Sequence, residues 1–389
     1  MRITEIREIA VPLHGDISNA VVNFSAHRVS LVAVVSDVIR DGAPIVGIGF
    51  NSIGRHAQSG ILADRMIPRV LSADEQDLLD GHTGLLDPAA VARCALRDEK
   101  PGGHGDRAGA AAAIELACWD LLAKYADEPA HATIARAFGA APATGGVPVY
   151  AAGGYYRGEN ELSALGDEIR GYLGDGYRAV KIKIGGQPLA DDLRRIDAAI
   201  EVTGAADRVA VDANARFDQT GALAYARALA PYGLRWYEEP VDPLDYQATA
   251  TVIAEYPGPV ATGENLFSRQ DAVNLLRYSG IRSDRDILQM DAGLSYGLTE
   301  YQSMITEMEA AGFHRTSAMP HGGHLINLHI VVGLGLGGCE AYPGVFAPFG
   351  GYSPGCVVRD GIITPADDPG FGLEAKPGLA ELITELAKG

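Results

Sequence analysis

The chain has 389 residues, enough for two or three domains, or for one large α/β barrel with a smaller partner. Lys and Arg number 32 against 50 Asp and Glu, and the resulting charge of −18 argues against the basic face that nucleic acid or an anionic membrane surface needs. Hydrophobic residues make up 47%, unlike a disordered chain, and four cysteines (Cys94, Cys118, Cys339, Cys356) without CxxC spacing fit neither a disulfide scaffold nor a zinc knuckle.

Unpaired cysteines in a long chain fit a reducing cytoplasm. The N-terminal MRITEIREIAVPLHGD lacks an apolar signal core, and no run of about 18 apolar residues exists to span a membrane. A cytoplasmic protein is expected.

Residues 1–50 hold three strand candidates, ITEIREIAVPL, HRVSLVAVVSDVI and PIVGIGF, with no helix between them, so a hairpin or meander is expected. The strongest helix follows over 106–127, where Ile114, Ala117, Cys118, Leu121, Leu122 and Tyr125 form one stripe. This first unit, 1–140, reads as a small α+β domain, and GAAPATGG after it has the composition of a linker. From 147 short apolar runs alternate with helix-like stretches: VPVYAAG, AVKIKIG, VAVDAN, RWYEEP, PVATGEN, ILQMDAG, RTSAMPH and GCEAYP are the strands. Eight strands alternating with helices favour a closed barrel over 145–350, with an open doubly wound sheet as the alternative. The Gly/Pro-rich tail, 351–389, ends in a short helix, PGLAELITELAKG, and is expected to pack back on the first unit.

The strand ends carry chargeable residues: Lys183, Asp212, Glu238, Glu264, Asp291, His321 and Glu340, at steps of 29, 26, 26, 27, 30 and 19 residues. In a parallel barrel these ends meet at one mouth. Any one carboxylate there is as well explained by a helix cap or an arginine pair. Three on successive strands, Asp212, Glu238 and Glu264, repel one another unless a cation neutralises them, and a purely oxygen donor set selects Mg²⁺ or Mn²⁺ over zinc. Lys181 and Lys183, two apart on a strand, point the same way, and a partly desolvated ammonium beside another has its pKa pushed down toward a useful base. Asp291, one βα unit before His321, would fix that imidazole's orientation. A metal, a lysine base and a His–Asp pair suit removal of a proton next to a carboxylate.

These motifs together, KIKIGG, VDANARF, YEEP, TGEN, LQMDAG and PHGGH in this order, resemble the enolase superfamily, mandelate racemase subgroup, over essentially the whole chain. The resemblance implies a modified (β/α)7β TIM-type barrel with an N-terminal α+β capping domain. It implies Asp212, Glu238 and Glu264 as Mg²⁺ ligands, Lys183 as base, Lys181 as its electrostatic helper, and His321, held by Asp291, as the second acid/base. It further implies Glu340 on the substrate carboxylate, Asn214 on a substrate hydroxyl, a small hydroxy-acid substrate and a homo-oligomer. Within the subgroup the chain resembles bacterial D-tartrate dehydratases, which implies conversion of D-tartrate to oxaloacetate and water. Another acid-sugar dehydratase, or a racemase or epimerase built from the same parts, is the alternative. PHGGH also places His324 one turn beyond His321, as a candidate to share its proton transfer.

Substrate choice is expected in loops over the mouth: residues 14–24, the run Asn51, Ser52, Arg55, His56, and KPGGHGDR, where Lys100 and His104 suit a second carboxylate. Two further motifs point elsewhere. Gly333, Gly335 and Gly338 spell G-x-G-x-x-G, but no helix is expected after them, so a dinucleotide site is not. Gly293, Ser295 and Gly297 spell G-x-S-x-G between a strand and a helix, the context of a serine hydrolase using Ser295 and His321. That alternative leaves the carboxylates and lysines unexplained. A barrel that only binds would lack a ligand or a base, and none is missing.

Overall fold

The computed structural model describes residues 1–15, 17–156 and 161–388; Asp16, in the predicted loop 14–24, lies outside them. Strands β1 (Ile3–Pro12), β2 (Arg28–Arg40) and β3 (Ala43–Phe50) form an antiparallel sheet in that order. Between β2 and β3, Asp41 and Gly42 take φ of 52° and 82°, the left-handed pair that a two-residue hairpin turn demands.

The helix Gly105–Ala126 lies across this sheet. A Cβ at Gly47 or Gly49 of β3 would strike the carbonyls of Ala117 or Ala113, so glycine sets how closely strand and helix approach. Ile114, Ala117, Cys118 and Leu121 pack under the sheet, as the stripe predicts. Burial nevertheless runs unbroken from Ala108 to Leu121, because Ala112, Leu116 and Trp119 pack into the barrel side, while Tyr125 is 39% exposed. The helix is a wedge between two layers rather than a one-faced surface helix.

Glu115 joins those layers. Its carboxylate, fully buried, accepts from Trp119 Nε1 (2.8 Å), Leu298 N (2.8 Å), Thr299 N (3.0 Å) and Thr299 Oγ1 (2.6 Å), and so caps the helix Leu298–Ala310. Burial raises its pKa and the donors only partly offset that. Glu115→Ala strands two buried N–H groups and the half-buried N–H of Thr299; at about 1–3 kcal/mol for each buried group, stability falls by at least ~2 kcal/mol. Thermal unfolding checks this, and an unchanged midpoint removes Glu115 from the junction.

The parallel strands are β4 (Val147–Ala152), β5 (Val180–Lys183), β6 (Val209–Asp212), β7 (Tyr237–Glu238), β8 (Val260–Thr262) and β9 (Ile287–Leu288), each bonded to the next. Residues such as Val209–Asp212 are buried on both faces, as strands covered by helices must be. The seventh position is a single bridge, Leu288 to Ala318, continued by Gly337 N donating to Ala318 O at 3.0 Å. The eighth, β10 (Cys339–Ala341), pairs in parallel with β4, which closes the ring and rules out the open sheet. Among the described residues seven helices separate these strands, at 161–174, 189–203, 219–229, 246–255, 269–278, 298–310 and 325–334. Among the described residues no helix comes directly after β10. The hairpin β11 (Val357–Arg359) and β12 (Ile362–Thr364) follows instead, and β12 pairs with the start of β4. The fold is a (β/α)7β barrel with an N-terminal α+β cap. Leu325–Leu334 ends at Gly335, φ 65°, and the chain enters β10 with no helix after the G-x-G-x-x-G run. The last helix, Ala380–Lys388, meets β1, where Arg7 Nη1 donates to the carbonyls of Leu386 (3.0 Å) and Ala387 (2.7 Å). No described helix is long and apolar enough to cross a membrane.

Candidate active site

Register places the predicted residues in one layer. Lys183 of β5 pairs with Asp212 of β6, and Asp212 with Glu238 of β7. Glu264, Asp291 and His321 follow just beyond β8, β9 and the Ala318 bridge. Asp212, Glu238 and Glu264 each offer a carboxylate oxygen, all within 4.8 Å of one another. Burial, and then the charge of Asp212, pushes Glu238 up to about 8, so negative charge there is under-compensated. Burial works against the Asp212 carboxylate too, yet the Lys183 and Lys181 ammoniums, at 2.5 and 3.6 Å, hold it down at about 2. Three convergent carboxylates without sulfur or imidazole fit one hard divalent cation.

The lysines differ from expectation. Burial lowers the pKa of both, but the carboxylates outweigh it and hold both ammoniums above their ordinary value. Lys181 Nζ lies 2.5 Å from Glu238 Oε1 and 2.7 Å from Glu340 Oε1; Lys183 Nζ lies 2.5 Å from Asp212 Oδ2. Repulsion between the two ammoniums is the weaker effect because each sits against a carboxylate.

His321 Nδ1 lies 3.2 Å from Asp291 Oδ2, and its Nε2 lies 3.0 Å from the Tyr342 hydroxyl. Burial lowers its pKa, but Glu264 and Asp291 raise it to about 9 overall. His324 is spent differently. Its Nε2 is 2.9 Å from Ser52 Oγ, its Nδ1 accepts from Asn327 N at 3.3 Å, and burial pushes it down to about 4. It caps a helix as a neutral ring and does not line the cavity.

That cavity, about 370 Å³, is bounded by Lys183, Glu264, His321, Asn214 and Arg55, with Val21, Val22 and Leu244 at its lip. Asn214, at φ 46°, bonds Asp212 through N and Nδ2 (2.8 and 3.2 Å), which leaves its buried Oδ1 without a partner. Arg55 donates to Asn265 Oδ1 at 2.6 Å and lies over the Phe267 ring; among the described residues no carboxylate pairs with it. Asn265 in turn donates to both oxygens of Glu239 (3.0 and 2.9 Å). Glu239, Asn265, Tyr155 and Tyr342 all line this cavity and were missed in the sequence.

Other predicted residues lie elsewhere. Lys100, His104 and Arg107 line a larger groove of about 940 Å³ alongside, which contains Tyr296 but, of the ring of strand-end residues, none. Arg107 Nη1 donates to the Lys100 carbonyl at 2.7 Å and keeps that turn on the groove. Asn51 is buried, its Oδ1 accepting from Ser30 N at 2.7 Å, and His56 stacks on His27. Glu340 is buried behind the wall, between Lys181 and Gly322 N (2.9 Å). Ser295 is fully buried with its hydroxyl on Met304 Sδ at 3.6 Å, so the G-x-S-x-G turn exposes no nucleophile.

The family described as enolase C-terminal domain-like matches residues 164–379. The chain belongs to that family. Among enolase-like relatives, the 3,6-anhydro-alpha-L-galactonate cycloisomerase of Streptomyces coelicolor is 30% identical over 283 residues, 70% of each chain. The L-talarate/galactarate dehydratase of Salmonella typhimurium is 28% identical over 324 residues, 82% of this chain and 75% of that one. A magnesium-bound racemase of Streptomyces coelicolor A3(2) superposes with a TM-score of 0.77 at 25% identity over 98% of both chains. These names speak of galactonate, talarate and galactarate, so a particular likeness to D-tartrate dehydratases is not what they support.

Proposed function

We propose that this protein is a magnesium-dependent hydro-lyase acting on a hydroxy acid of the acid-sugar class. The carrying observation is that Lys183 and His321 face one cavity from the two ends of the carboxylate run Asp212, Glu238, Glu264 and Asp291. Asp212, Glu238 and Glu264 would hold Mg²⁺, which supplies positive charge against the charge that develops on a substrate carboxylate. Lys183 takes the α-proton at Nζ; Asp212, which holds that ammonium protonated at 2.5 Å here, would be one of the metal's ligands. Lys181, anchored by Glu340, lends positive charge behind it. His321, oriented by Asp291, gives its proton to the departing β-hydroxyl, which leaves as water, and the enol becomes a keto acid. Without a β-hydroxyl the same two groups would invert the α-carbon, which is the racemase or epimerase reading.

The finer substrate is D-tartrate, converted to oxaloacetate, and it rests on the motif resemblance. A dicarboxylate is supported by Arg55, an unpaired cation in the cavity wall, rather than by Lys100. Arg55→Ala should raise KM for a diacid about tenfold or more, the loss of a charged hydrogen bond, and barely change KM for a monoacid. Equal effects on both would remove Arg55 from the distal carboxylate.

The test is a screen of diastereomeric acid sugars, all three tartrates included, for keto-acid formation with Mg²⁺ and with EDTA. Turnover of D-tartrate that EDTA abolishes and Mg²⁺ restores is expected. Turnover of a longer aldonate would replace tartrate, and turnover indifferent to EDTA would overturn the metal-dependent reading.

A further inference from the structure

A second cavity, about 400 Å³, lies on the far side of Tyr342, which contributes to its wall and to that of the active-site cavity. One wall is the Gly350–Gly351 turn, against which Lys376 of the C-terminal segment lies. Lys376 is only 7% exposed, and its Nζ donates to Gly350 O at 2.8 Å. Among the described residues no carboxylate forms an ion pair with it. A buried ammonium with one carbonyl acceptor, no carboxylate and only the Cys356 thiol as an acidic neighbour is costly, and cations in such places are ordinarily paired. The same lack of compensation shows in its pKa, pushed down to about 8 by burial. Tyr177, Tyr352 and Val358 also line the cavity, with Ser353, whose hydroxyl lies 3.5 Å from Cys356 Sγ.

We infer that this cavity is a binding site for a small organic acid, whose carboxylate sits on Lys376 Nζ and whose apolar body lies against the tyrosine rings. Two features favour an organic acid over inorganic phosphate: the volume far exceeds one oxyanion, and Asp175 at the rim disfavours a doubly charged guest. An occupant would lie one ring away from His321, because Tyr342 Oη contacts His321 Nε2.

The experiment uses the full chain and a short pulse of N-hydroxysuccinimidyl acetate at pH 8, with acetylation read at each lysine by peptide mass spectrometry. The probe is sodium benzoate, which has no α-proton to lose and no β-hydroxyl to expel. Saturating benzoate should slow acetylation of Lys376 at least tenfold and leave Lys388 unchanged. Sodium phosphate at the same concentration should not protect Lys376. An unchanged rate at Lys376, protection at Lys183 without protection at Lys376, or equal protection by phosphate would each overturn the inference. The measurement needs no variant and no turnover, so it stands apart from the proposed activity.

Discussion

Lys183→Ala should abolish exchange of the substrate α-proton with D₂O and lower kcat/KM by about 10⁴-fold, the upper range for loss of a positioned general base. Neither Lys181 nor Tyr155 can substitute. Lys181 does not line the cavity and is tied to Glu238 and Glu340 at 2.5 and 2.7 Å. Tyr155 faces the cavity, but burial raises its hydroxyl far above the range in which it could accept the proton. The variant should still fold, because the lost side chain lines a cavity and takes no part in backbone bonding. It should also still bind metal, since Asp212 loses only a competing cation. Exchange that persists at more than a hundredth of the wild-type rate would assign the base to another group.

Much of this centre was legible because barrel geometry converts sequence period into position. Steps of 26 to 30 residues are one βα unit, so residues at equal depth on successive strands had to meet. The same logic gave the closed ring, although the seventh strand has shrunk to the bridge at Ala318. Strand alternation also explains what was missed. Glu238 and Glu239 should face opposite ways, but Glu239 has φ 36°, outside the strand region, and the chain turns its side chain back into the cavity. Tyr342 keeps the alternation with Glu340 and could have been found as its i+2 neighbour. The loops were opaque for another reason. Arg55 and Lys100 are equally cationic in sequence, and only the contacts Arg55–Asn265 and Arg107–Lys100 decide which reaches the cavity. His324 and Asn51 read as site residues because a polar group near a motif looks functional. Packing uses both to satisfy buried backbone and hydroxyl groups instead.

His321→Asn should separate the two proton transfers. Lys183 remains, so α-proton exchange with D₂O should persist within about tenfold of wild type, while keto-acid formation should fall about 10³-fold for want of an acid at the β-hydroxyl. Asparagine is close in size and can keep a hydrogen bond to Asp291, so the wall of the cavity should hold. The wild-type pH profile carries the same assignment. The pKa of His321 is raised from its ordinary value to about 9, which keeps it protonated through neutral pH. Glu264, a metal ligand in the proposed active enzyme, supplies part of that rise and Asp291 another part. The acid form is lost as pH rises, so kcat for dehydration should decline on the alkaline side, above the ordinary imidazole range, whereas exchange catalysed by Lys183 should not decline with it. Parallel loss of exchange and dehydration in the variant would mean that one group performs both transfers, and His321 would then serve only to shape the cavity.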